Sequence, residues 1–144
     1  MARTSDVTSM EMVTIRDQFG EPIYVCDAPT LRDAVLRALA ARVDLAGADL
    51  AGVDLSDASL EGACFIGTDF RKGSFRGARL VGANLRGANL DDADLTGADL
   101  EAADLEWADL VRANLRGANL KGTRLANAVT AGAQLDVALL IADA

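Results

Sequence analysis

The chain has 144 residues, which points to one domain. It is 51% hydrophobic but only 4% aromatic, so Ala, Leu and Val supply most of its apolar surface. A net charge of −8 and a pI near 4.4 disfavour direct binding of nucleic acid, whose phosphates are neutralised by Lys and Arg.

In chain order, residues 1–12 read as a flexible tail, and "MARTSDVTSMEMV" lacks the apolar core expected of a secretion signal. No run of about 20 apolar residues spans a membrane, so the cytoplasm is the expected location. Val13–Ile15 and Ile23–Val25 flank "DQFGEP" and predict a β-hairpin. "PTLRDAVLRALAARV" predicts a helix. Thr30 stands as its N-cap with Asp33 three residues on, and Leu31, Ala34, Val35, Ala38 and Leu39 make one apolar stripe. Residues 13–42 are expected to cap whatever follows.

From residue 43 to the end, residues 43–144, the chain repeats every five residues. Large apolar centres run Leu45, Leu50, Leu55, Leu60, Phe65, Phe70, Phe75, Leu80, Leu85, Leu90, Leu95, Leu100, Leu105, Leu110 and on to Leu125. The beat misses at Thr130 and resumes at Leu135 and Leu140. A small residue, usually Ala, stands two places before each centre, and an outward Asp or Asn stands between them. Small, polar, large is a fragment of strand alternation. The remaining two residues turn a corner, with Gly often second, as a type II turn requires. A helix is excluded, since five residues advance it about 500° and scatter the leucines around its axis. Four walls close into a square coil of twenty residues, which places Leu85 through Leu110 in the core.

The A(D/N)LXX pattern from Val43 to Ile141 resembles the pentapeptide-repeat family. That resemblance implies an all-β fold, a right-handed quadrilateral parallel β-helix of about five coils. Thr68, Gly73 and Thr123 depart from it at the alanine position, and Val129–Thr130 break the beat. Residues twenty apart would stack, pairing Arg71–Asp91, Lys72–Asp92, Asp92–Arg112, Arg79–Asp99, Arg86–Glu106, Glu101–Lys121, Asp104–Arg124 and Arg116–Asp136. Only Asp49–Asp69 would set like charges together.

At the C-terminus the outward positions turn apolar. Val137, Leu139 and Ile141, with Leu140, predict a homodimer interface or a folded-over end. Gyrase-interacting members of the family dimerise through this end, so the resemblance points to the dimer.

The sequence offers no catalytic constellation. There is no histidine, Cys26 and Cys64 lack metal-site spacing, and outward aspartates on a stack make a solvated face. Neither an enzyme nor a cofactor or metal site is expected. Two features suit binding. Trp107 occupies a corner usually held by Gly, so its ring lies outside, packed over Gly87, with Ile66 and Val111 elsewhere on that side. It is either a hot spot or a cover for a glycine groove. The first coil is acidic at Asp44, Asp49, Asp54, Asp57, Glu61 and Asp69.

Two functions follow. One is a non-catalytic interaction or scaffold protein with a protein partner. The other, implied by the resemblance, is a DNA mimic that binds DNA gyrase and protects it from quinolones or peptide toxins. The acidic balance and the expected C-terminal dimer favour the second, while the unbroken register from Val43 to Leu125 and the basic blocks between acidic ones weigh toward the first.

Overall fold

A computed structural model describes residues 11–136. The expected dimer residues Val137, Leu139, Leu140 and Ile141 lie outside the described residues, as does nearly all of the tail at 1–12.

Strands β1 (Met12–Arg16) and β2 (Pro22–Asp27) form an antiparallel hairpin with a bulge between Ile15 and Arg16. Helix α1 (Leu31–Ala40) follows, its Thr30 Oγ1 accepting from the Asp33 N–H at 3.1 Å. That bond satisfies one of the N–H groups left orphaned at a helix start. Ala34, Val35 and Ala38 are buried on α1, which packs against both strands. The cap is fastened to the first coil by backbone and side-chain hydrogen bonds. The Asp49 N–H donates to the Arg16 carbonyl at 2.8 Å, and Arg32 donates to the carbonyls of Asp54 and Ser56. The end of β1 thereby covers one open wall edge.

From Asp49–Asp69 to Asn114–Gln134, parallel bridges join residues twenty apart. Each wall gives the same rungs: Leu50 N–H to Asp69 carbonyl, Asp69 N–H to Ala48 carbonyl, and Gly52 N–H to Arg71 carbonyl, all at 2.8 Å. Corners close through bonds such as Ala48 N–H to Leu45 carbonyl at 3.1 Å. The second corner residue takes positive φ whether it is glycine or not. Asp57, Lys72, Asp92, Ala102, Trp107, Arg112 and Asn127 all lie between 56° and 63°.

The outward Asp or Asn of each wall does more than face solvent. Its Oδ1 accepts from the N–H two residues on, as in Asp94 to Thr96 at 3.0 Å and Asp109 to Val111 at 3.0 Å. Asp44, Asp49, Asp54, Asp69, Asn84, Asn89, Asp99, Asp104, Asn114 and Asn119 do the same. This Asx bond satisfies the first corner N–H, which the ladder between coils leaves unused. Ser and Thr form such bonds weakly and Cys does not, which explains the preference for Asp and Asn.

The predicted core residues Leu85, Leu90, Leu95, Leu100, Leu105 and Leu110 are all buried inside the coils. Phe65, Phe70 and Phe75 meet edge to face, with centroids 4.9 Å apart. Departures at the alanine position accommodate local needs. A Cβ at Gly73 would sit 3.0 Å from the Phe70 carbonyl and 3.4 Å from the Phe75 ring. The hydroxyls of Thr68 and Thr123 donate to the Leu45 and Leu100 carbonyls one coil below, so neither is an unpaired polar group.

Candidate interaction surface

The six acidic candidates of the first coils are spread around the solenoid rather than gathered. Asp44, Asp49 and Asp54 occupy three successive walls, each committed through Oδ1 to a corner N–H. Asp57 stands on a corner, with its carboxylate over Gly77. Glu61 meets Arg79 at 2.8 Å. Asp69 is nearly buried and holds Arg71 at 2.7 Å. The Arg71 guanidinium keeps the Asp69 carboxyl below the usual range despite opposing burial.

Of the eight stacked charge pairs expected, Asp92–Arg112, Arg86–Glu106 and Asp104–Arg124 form. Arg71 turns to Asp69 instead of Asp91, and Arg79 reaches down to Glu61 instead of up to Asp99. Arg76 takes Asp94, Arg112 adds Asp91, and Arg124 adds Glu106. Lys72–Asp92, Glu101–Lys121 and Arg116–Asp136 do not close; Asp136 accepts instead from the Gly117 N–H at 2.6 Å. An exposed pair is worth about 0–1 kcal/mol, and an arginine reaches several carboxylates, so stacking order alone does not choose the partner.

Trp107 sits on its corner at φ +63° and is 59% exposed. Its N–H donates to the Ala126 carbonyl at 3.0 Å, so the backbone stays in the ladder while the indole stands outside. The space where a Gly87 side chain would begin, one coil away, is open for 4 Å. The corner positions beside it, Gly87 and Asn127, are too small to cover an indole. Ile66 lies on the same corner and is exposed, whereas Val111 lies one corner further on.

Sequence reading missed Phe19. It is 92% exposed at the apex of the hairpin turn, and the aromatic at the centre of "DQFGEP" was the available signal. Cys64 is half-buried beside Leu36, Leu39 and Glu61, in an open groove of about 830 Å³ between α1 and the coils. Among the described residues, no three His, Cys, Asp or Glu side chains converge on a possible metal position. No described helix is long and apolar enough to cross a membrane.

The model of the family described as pentapeptide repeats matches residues 41–77, 74–106 and 108–138, in 8 copies. No curated protein matches the chain. Among solved structures, a pentapeptide repeat protein from Nostoc Pcc 7120 is 37% identical, with a TM-score of 0.57. That match covers 72% of this chain and 94% of the other. A pentapeptide repeat protein of the Arabidopsis thaliana thylakoid lumen is 38% identical, with a TM-score of 0.58 over 59% of this chain. The match spans 59% of the length of that protein as well. The chain belongs to the pentapeptide repeat family, and its solenoid is a right-handed β-helix.

Proposed function

We propose that this protein is a non-catalytic protein-interaction module that works through the corner carrying Trp107. One observation carries the reading. A non-glycine residue in the left-handed region costs about 1–2 kcal/mol, and here it holds a large, half-exposed aromatic ring in solvent. Glycine, used at most corners, would avoid that cost. Exposed Trp on a rigid frame is a strong anchor for a partner protein. A photo-crosslinking phenylalanine in place of Trp107 should capture a partner in cells, and the same group at Arg116, on the opposite corner, should not. Absence of any adduct from position 107 would remove the reading. Assembly as a homodimer through residues 137–141 belongs to the same reading. Light scattering of wild type against Leu139→Glu with Ile141→Lys tests it.

A second reading, a DNA mimic that binds DNA gyrase, draws support from charge compensation. Arg71, Arg76, Arg79 and Arg86 of the first basic block are each held by a carboxylate. The arginines of that block are therefore locally neutralised within a chain of net charge −8. A supercoiling assay with purified gyrase, with and without a quinolone, tests this. No inhibition and no protection at micromolar protein would eliminate it.

A further inference from the structure

One corner of the solenoid is traced by four backbone bonds. They run Gly47 N–H to Ile66 carbonyl, Gly67 to Arg86, Gly87 to Glu106 and Trp107 to Ala126, at 2.8–3.0 Å. This ladder puts Ile66 and Trp107 on the same edge two coils apart, roughly 10 Å at strand spacing. Ile66 is 41% exposed. Between them Gly67 and Gly87 leave a strip where nothing lies within 4 Å of a missing side chain.

The cap adds a third apolar residue at the foot of the edge. The Gln18 N–H donates to the Gly47 carbonyl at 3.2 Å, and its Nε2 donates to the Gly67 carbonyl at 2.6 Å. Phe19 is the next residue. Its turn is tied down: Asp17 Oδ1 accepts from the N–H groups of Phe19 and Glu21 at 2.9 Å each. Arg16 Nη1 also donates to the Gly20 carbonyl at 2.9 Å. Phe19 is thus held outward by an ordered turn.

We infer that the edge Phe19–Ile66–Trp107 docks an amphipathic helix of a partner protein, apolar along one stripe and basic beside it. This rests on the protein-binding reading above and names the partner's chemistry. Residues seven apart on a helix lie about 10.5 Å apart on nearly one face, which matches the two-coil spacing of Ile66 and Trp107. The glycine strip lets a helix approach closely between them. Carboxylates flank the edge: exposed Asp44 and Asp49 at its foot and half-exposed Asp109 beside Trp107. Two cations lie along the edge: Arg86 is already held by Glu106, and Arg16 at its foot is engaged with the Gly20 carbonyl and sits beside Asp49. Charge complementarity therefore calls for Lys or Arg on the partner, and a second acidic copy of this chain would oppose carboxylate to carboxylate.

Trp107 is the chain's single tryptophan, so its fluorescence reports docking directly. The probe is a helical peptide of roughly 18 residues built from Leu and Lys, with Leu in one stripe, against a Leu–Glu peptide of the same spacing. The Leu–Lys peptide should shift the emission to the blue, with a dissociation constant on the order of micromolar that weakens as salt rises. Phe19→Ser and Ile66→Ser should each weaken it about tenfold without lowering the melting temperature. Four outcomes would overturn the inference: no shift, equal binding of the Leu–Glu peptide, both variants binding like wild type, or a peptide-free blue shift that grows with protein concentration alongside a doubled mass. A crosslink from position 107 without helix binding rejects the helix and leaves the interaction module standing. No crosslink and no helix binding removes both.

Discussion

Asp69 grips Arg71, two residues along the same chain, through both carboxylate oxygens, with Nη2 2.7 Å from Oδ2 and Nε 3.0 Å from Oδ1. Asp69 also stacks directly on Asp49, so the guanidinium neutralises the one like-charge stack in the register. It is spent there instead of on Asp91.

That grip has a pH signature. The bond to Arg71 depresses the Asp69 carboxyl, so its contribution is fully present above the unfolded value, about 3.9. It is lost as pH falls through the folded value. Asp54, Asp92 and Asp94 are depressed in the same direction. Ser56 acts on the first and Arg112 on the second. For Asp94, burial pushes upward but Thr96 and Arg76 outweigh it. Thermal melts should show stability falling below about pH 4. Asp69→Asn should cost about 1 kcal/mol at pH 7 and show a smaller acid loss. An identical acid loss in both proteins would rule out the assignment.

The Asx bonds predict a stabilising change. Cys64 occupies the outward wall position without such a bond. Cys64→Asn should supply one to the Ile66 N–H and add about 0.5–1 kcal/mol. Asp109→Ala should lose a similar amount by freeing the Val111 N–H. Paired denaturant titrations decide it, and a destabilised Cys64→Asn would contradict the capping role.

Trp107→Gly separates stability from binding. Glycine relieves the left-handed strain while adding unfolded-state freedom of about 0.4–1 kcal/mol. The melting temperature should hold or rise slightly as the Leu–Lys peptide is lost. A clear fall would mean that the indole serves the fold.

Lys72, Asp92 and Arg112 share one corner column, all with positive φ. Arg112 holds Asp92 at 2.9 Å. Asp92→Lys should stack three cations and lower the melting temperature, more at low salt. Insensitivity to salt would show the column's charges to be uncoupled.

Leu105→Asp should prevent folding, because it places an unpaired charge in a buried wall and costs several kcal/mol. Circular dichroism and exclusion chromatography check this. A soluble, native-like variant would mean that the interior there is wet.

The coil and its core were legible from sequence because the five-residue beat is local. Small, polar, large and a two-residue corner state which side chains point inward at every repeat, and Leu105 or Phe70 has no other place to go. The Thr30 cap and the α1 stripe are equally local signals. Ion-pair partners were not legible, since Arg71 and Arg79 reach several carboxylates whose exposed pairings differ by less than about 1 kcal/mol. Nor was the role of the outward Asp and Asn, which shows only when the ladder reveals the corner N–H left over. The edge of Phe19, Ile66 and Trp107 required the tertiary structure. Its members are 47 and 41 residues apart in sequence. They come together because coils stack at strand spacing and Gln18 ties the hairpin turn to the Gly47 and Gly67 carbonyls. Periodicity sets the direction of each side chain; only the closed ladder and the docked cap decide which outward ones become neighbours.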